Sequence, residues 1–142
     1  MNQATGDVKI LATDICTSVL KTAASGIYHA SKLKNVPPKI LRKFFQQGQG
    51  EWAGSFRVKS ELRSMVHFKR FNLMDNPPPE VRFDIIFCRN VMIYFDKQTQ
   101  VGLVERMYGS LVEGGYFFVG HSESLTGLMH RLKYIEPSVY RK

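Results

Sequence analysis

The sequence predicts an α/β fold with a mostly parallel sheet, and three observations predict it. Short apolar runs alternate with stretches of helical periodicity along most of the chain, the order from which parallel sheets are built. The apolar run from Phe83 to Phe87 reads as a strand buried on both faces, as interior strands of such sheets do. Asp96 is followed by an apolar stripe, two glycines and the run Tyr116-Phe117-Phe118-Val119, a helix leading into another strand.

Each element follows in order. Val8 to Asp14 is a short strand ending in an acid, and Thr17 to Ser25 is a helix with Thr17 as cap and Gly26 as stop. Pro37-Pro38 opens a second helix whose apolar face is Ile40, Leu41, Phe44 and Phe45. Gln46 to Lys59 contains clustered glycines and an alternating stretch, which predicts a hairpin or small antiparallel ribbon. Val66 to Leu73 alternates as a half-buried strand, and Asn76-Pro77-Pro78-Pro79 is a turn that no helix crosses. After the strand at Phe83–Phe87, Asp96 caps a helix from Lys97 to about Glu113. Its stripe is Val101, Val104, Met107, Tyr108 and Leu111, and Gly114-Gly115 ends it. Tyr116–Val119 is a strand closed by "GHSES", and one last strand spans about Tyr134 to Tyr140.

Ligands of such sheets sit beyond the carboxyl ends of the strands, which places Arg89 and Asn90 at the edge of a binding crevice. With 142 residues, 44% of them hydrophobic and 23% charged, the chain reads as one soluble globular domain. No apolar run reaches the ~18 residues of a membrane span. Met1 to Gly6 has no apolar core of a signal peptide. Cys16 and Cys88 stand far apart without metal-ligand spacing, so no metal site is expected and a reducing cytoplasm is. The net charge of +8 suits a solvated basic surface, a nucleic acid or an acidic protein surface. No aromatic–basic interleaving or recognition helix supports nucleic acid.

"ILATDI", "GIY", "FNLMD", "FDIIFCRNVMIYFD" and "LVEGGYFFVGHSES" occur in that order. From about Val8 to Arg141 the chain resembles the catalytic domain of CheR-type chemotaxis receptor methyltransferases, which use S-adenosyl-L-methionine to methylate glutamate side chains. The "FCRNVMIYF" string carries most of the resemblance. It implies a partial Rossmann-like class I methyltransferase sheet over 1–142, with a small antiparallel β-subdomain inserted at about 45–66. It also implies a cytoplasmic protein whose partner is a methyl-accepting chemotaxis receptor, with acidic helices and in some members a C-terminal peptide.

The resemblance assigns roles residue by residue. Asp14 accepts hydrogen bonds from the cofactor's ribose hydroxyls, or serves only as a turn or helix-cap acid. Asn72 and Leu73 meet the adenine edge and face, or Asn72 is a turn residue. Arg89 and Asn90 lie beside cofactor and substrate, or Arg89 pairs with a nearby acid. Tyr94 stands nearest the transferring methyl group, offering its hydroxyl or its ring, or packs beside Phe95. His121 has a conformational role rather than that of a base. No base is needed, because a glutamate side chain (pKa ~4.3) is already ionised near neutrality; alignment of oxygen, methyl and sulfur supplies the acceleration. Gly48 and Arg57 match positions of the ribbon that binds a receptor peptide by strand addition. Gln47 stands where peptide-binding members carry arginine, so the ribbon either docks a tail or has no docking role.

Against the family, residues 1–7 hold no counterpart of the helical domain, first strand and "GxxTGEE"-like loop. Loss of a central strand exposes sheet edges that recruit other chains. Three outcomes are expected: the sheet closes up, a second copy fills the gap as a homo-oligomer, or the chain is stable only in a larger assembly. As a lone chain it is then a weak or inactive methyltransferase, with a catalytically incompetent receptor- or protein-binding module as the alternative.

Overall fold

In the computed structural model, which describes residues 7–142, the strands form three separate sheets, and the chain divides into a first unit through Asn72 and a second from Leu73. The expectation for Met1–Gly6 lies outside the described residues.

The first unit opens with β1 (Ile10–Asp14) and α1 (Thr17–Ser25). The helix cap is Cys16, one residue before the one the sequence suggests, and Gly26 ends the helix in the left-handed conformation at φ 65°. A three-stranded antiparallel sheet follows in the order β2 (Ile27–His29), β4 (Ser55–Val58), β3 (Phe45–Gln47). The ribbon therefore takes a third strand from well upstream of residue 45, and Val66 belongs to a different sheet. Between β2 and β3, α2 (Pro38–Phe44) starts at the proline pair. Lys59 closes its far end by donating from Nζ to the carbonyls of Arg42 and Lys43. After α3 (Ser60–Arg63), β5 (Val66–Arg70) pairs in parallel with β1, from Ile10 opposite Val66 to Asp14 opposite Arg70.

The second unit holds nearly all of the buried core. β6 (Phe83–Cys88) runs parallel to β7 (Leu111–Val119), joined by α4 (Lys97–Ser110). Asp96 caps α4 as expected, its Oδ1 accepting from the Thr99 N–H at 2.8 Å. Leu103, Val104 and Met107 from α4 pack with Phe117 and Val119 from the inner face of β7, and with Leu125, Leu132 and Tyr140. The Tyr140 hydroxyl accepts from the Leu125 N–H, so this phenol enters the core with its polar end satisfied.

Three expectations need correction. The helix ends at Ser110, not Glu113, and Gly114-Gly115 lies inside β7 rather than after the helix. Lys142 Nζ donates to the carbonyls of Tyr108 and Leu111 and so supplies the stop. The glycines instead permit the register shift that puts Leu111 opposite Phe83 but Tyr116 opposite Ile85: Gly114 has φ 79°, and a side chain on Gly115 would press on the Asp84 carbonyl at 3.1 Å. The single last strand is a hairpin of β8 (Lys133–Glu136) and β9 (Val139–Arg141), turned by Pro137 and by Ser138 at φ 66°. β9 pairs antiparallel with β7, giving the order β6-β7-β9-β8. β6 is not buried on both faces: Cys88 faces the core, whereas Ile85 is 50% and Phe87 67% exposed. Phe87 is covered on one side by stacking on Phe118, at 4.8 Å between ring centres. Among the described residues β1 pairs with β5 alone and β6 with β7 alone.

Replacing Leu103, which is wholly buried, by alanine is expected to destabilise the protein by about 2–5 kcal/mol through transfer and cavity terms. Ile85→Ala, at a half-exposed site, is expected to cost clearly less. Urea unfolding midpoints of the two variants check the order.

Candidate active site

In the first unit, parallel pairing brings the carboxyl ends of β1 and β5 side by side, so Asp14 and the segment leading to Asn72 emerge together. The Phe71 N–H donates to the Asp14 carbonyl at 3.1 Å and fixes that exit. Asp14 Oδ1 accepts from the Cys16 N–H at 2.7 Å. The acid therefore does shape the turn into α1, and a carboxylate keeps a second oxygen for another donor. Asn72 is half-buried at the strand end.

In the second unit, Leu73 is held by its main chain: its carbonyl accepts from Arg106 Nε at 3.3 Å and Nη2 at 3.1 Å, and its side chain packs against the core. At the carboxyl end of β6 the chain passes through Arg89 and Asn90 into a 3-10 turn, Met92–Tyr94. Arg89 is exposed and makes no ion pair among the described residues, so the acid-paired alternative is not what forms. Tyr94 is 79% exposed rather than packed beside Phe95; Met92 and Phe95 enter the core in its place. The structure thus gathers Arg89, Asn90 and Tyr94 on one loop.

The residue that organises this loop was missed in the sequence. Glu123, only 7% exposed, accepts at Oε2 from the N–H groups of Asn90 (2.8 Å) and Gly120 (2.6 Å). Its Oε1 accepts from Val91 (2.8 Å), Met92 (2.7 Å) and Ile93 (3.3 Å). Asn90, at φ 58°, makes the left-handed step with which these N–H groups converge. Burial raises the Glu123 pKa, but the N–H donors of Gly120, Asn90, Met92 and Val91 together outweigh it and hold the carboxyl below the usual carboxylate value. Nearby Cys88 is pushed up to about 11, by burial first and the Glu123 charge second, and stays a neutral thiol. Gly120 admits this geometry because a Cβ there would lie 2.6 Å from both Asn90 Oδ1 and Glu123 Oε2. In "GHSES" the His121 imidazole is exposed and the acid two residues on is the buried one.

On the ribbon, Gly48, Gln47 and Arg57 line a groove of about 520 Å³ with Ile27, Phe56 and Trp52. Gly48 donates its N–H to the Ser55 carbonyl at 2.8 Å, and a side chain there would collide with the Trp52 carbonyl. Arg57 is exposed in the central strand of the ribbon, opposite Ile27 and Gln46.

Comparison with known proteins adds to this geometry. The family described as CheR methyltransferase, SAM binding domain, matches residues 1–141. A chemotaxis protein methyltransferase of Borreliella burgdorferi is 44% identical over 142 residues, covering 99% of this chain and 49% of that protein. Chemotaxis protein methyltransferase 2 of Pseudomonas aeruginosa is 44% identical, covering 94% and 48%, and the Salmonella typhimurium protein 42% identical, covering 99% and 49%. The chain spans about half the length of the curated relatives it matches. Among the described residues no helix is long and apolar enough to cross a membrane.

The depressed pKa of Glu123 sets the sign of a pH effect. Its stabilisation is fully present above the unfolded-state value of about 4.3 and is lost as pH falls through the lower folded value. The urea midpoint of the natural protein is therefore expected to hold steady near neutrality and to drop on acidification. Glu123→Gln is expected to lower the midpoint at neutral pH and flatten the acid limb. A residual slope is expected from Asp96, whose pKa the Thr99 N–H also depresses. An acid limb unchanged in the variant would contradict this assignment.

Proposed function

The chain belongs to the CheR methyltransferase family, and from that premise we propose that it methylates glutamate side chains of chemotaxis receptors with S-adenosyl-L-methionine as methyl donor. The family match over residues 1–141 is the observation that carries this reading. The pairings support a partial Rossmann-like class I sheet over 1–142: β1 and β5 are parallel, β6 and β7 are parallel, and β9 runs antiparallel between β7 and β8. The ribbon is its inserted β-subdomain.

When bound, the cofactor supplies a methyl group on a sulfonium centre. The residues at the strand ends suit such a molecule. Asp14 ends a parallel strand with a carboxylate, which accepts bonds from vicinal ribose hydroxyls with charge assistance. Asn72, with Leu73, offers an amide to the adenine edge. Asn90 adds cofactor contacts. Arg89, exposed and without an acid partner among the described residues, attracts the acceptor carboxylate, and Tyr94, exposed on the same loop, orients it through its hydroxyl. The acceptor is ionised near neutrality, so these residues position and desolvate rather than remove a proton.

The basic surface steers the protein towards acidic receptor helices in the cytoplasm. The ribbon groove is read as the place of a receptor C-terminal peptide, with Gly48 shaping it and Arg57 facing the acid of the incoming strand. The open sheet edges are where a second copy would pair.

Calorimetric titration and transfer of labelled methyl groups to receptor fragments test the reading. Asp14→Ala is expected to weaken cofactor binding about ten- to a hundredfold, the scale of a hydrogen bond to a charged group. Tyr94→Phe is expected to lower turnover more than cofactor affinity. Binding to receptor without methyl transfer by the complete natural protein would instead favour a docking module.

The sole tryptophan, Trp52, reports on the groove. Addition of a receptor C-terminal peptide is expected to shift its emission, and Arg57→Glu to abolish the shift. An unmoved spectrum means that the ribbon has no docking role.

A further inference from the structure

The loop that carries Arg89, Asn90 and Tyr94 is held from two directions. From the end of β7, the Glu123 carboxylate gathers four consecutive N–H groups, Asn90 through Ile93, together with that of Gly120. From the first turns of α4, Gln100 Nε2 donates to the carbonyls of Met92 at 2.9 Å and Phe95 at 3.0 Å. The amide must point this way, since its oxygen would face two carbonyl oxygens if flipped. Glu123 forms no ion pair among the described residues, so its charge is balanced by main-chain dipoles alone.

The combination fixes more than a turn. The backbone is held at its N–H groups by one residue and at its carbonyls by another. In this arrangement Met92 points into the core at 2% exposure while Ile93 and Tyr94 point out. A buried anion is a poor choice if stability alone is wanted, because apolar packing serves as well without desolvation. It is well suited to specifying a conformation, since each N–H has one direction in which its bond is met.

We propose that Glu123, assisted by Gln100, is a positioning residue for methyl transfer: it touches neither cofactor nor acceptor, and acts by holding the Asn90–Phe95 backbone so that Arg89 and Tyr94 are aimed. The proposal rests on the functional reading of Arg89 and Tyr94 above. Glu123→Gln replaces one carboxylate oxygen by an NH₂ group that faces N–H donors, so part of the nest opens. Glu123→Asp keeps the charge with a shorter reach. Gln100→Ala loosens the other side without disturbing the buried anion.

The test uses the complete natural protein and two readouts. In hydrogen exchange, Glu123→Gln is expected to expose the amides of Asn90–Ile93 and Gly120 at least about tenfold faster, while Val104 and Phe117 amides in the core keep their protection. In methyl transfer to a receptor fragment at a temperature where all variants are folded, turnover is expected to fall roughly 10- to 100-fold, the scale of an ~1 Å misplacement. Glu123→Asp is expected to recover part of that loss, and Gln100→Ala to show a smaller fall of the same kind. Should Glu123→Gln not fold, Gln100→Ala decides: faster exchange at Met92–Phe95 with slower turnover supports the proposal. Loosened amides with unchanged turnover overturn it, as does lost turnover with the amides still protected. A natural protein that transfers no methyl group overturns the functional reading and this proposal with it, whereas variants as active as the natural protein overturn the proposal alone.

Discussion

A carboxylate taken out of water must be met by donors or it will take up a proton. Glu123 is met by five main-chain N–H groups, from Gly120 and from Asn90 to Ile93, and by no cation among the described residues. Much of the second unit follows from that arrangement. The exit of β6 is tied to the exit of β7, so two parallel strands end at a fixed separation. Met92 is carried into the core beside Leu103 and Phe117. Gly120 cannot carry a side chain, because that space belongs to Asn90 and Glu123. Arg89 and Tyr94 are left facing outward on a backbone held at its N–H groups by Glu123 and at its carbonyls by Gln100.

The same use of side chains to satisfy main-chain groups runs through the rest of the molecule with the opposite charge. Lys59, Arg63, Arg106, Arg141 and Lys142 all donate to carbonyl oxygens, several of them at the ends of helices. Lys142 and Arg131 also lie over the Tyr108 ring, at 4.6 and 4.0 Å from its centre. A share of the basic excess is therefore part of how the elements end, and the +8 charge is not purely a surface for a partner. The same side chains also contribute to the long-range field that attracts an acidic surface.

Local chemistry was legible wherever one residue decides the outcome. Asp96 capping α4, Gly26 ending α1, the proline start of α2 and the glycine-rich ribbon each follow from a conformational preference that holds in any context. Errors arose where distant residues compete for the same backbone. Gly114-Gly115 looks like a helix stop, but Lys142, far along the chain, caps the helix earlier and frees the glycines to carry a bulge in β7. Phe83–Phe87 looks doubly buried because apolar composition does not say how many neighbours a strand will find. In the candidate site, strand-end positions placed Asp14, Asn72, Leu73, Arg89, Asn90 and Tyr94 at strand exits or on the loop that leaves one. Glu123 was invisible because an acid among serines gives no periodic or spacing signal, and its partners are main-chain groups about thirty residues away.

By itself the sequence determined the family, through the run Phe83 to Asp96 and its companions, and the order and type of most elements, through apolar periodicity and caps. These are properties of short segments, set by the side chains within them. Tertiary structure decided which strands pair, where α4 stops, which face of β6 is left open, and that an acid at position 123 rather than the histidine at 121 governs the loop of Arg89 and Tyr94. Those outcomes depend on groups far apart in the chain satisfying one another's hydrogen bonds in three dimensions, and one-dimensional spacing carries no record of that.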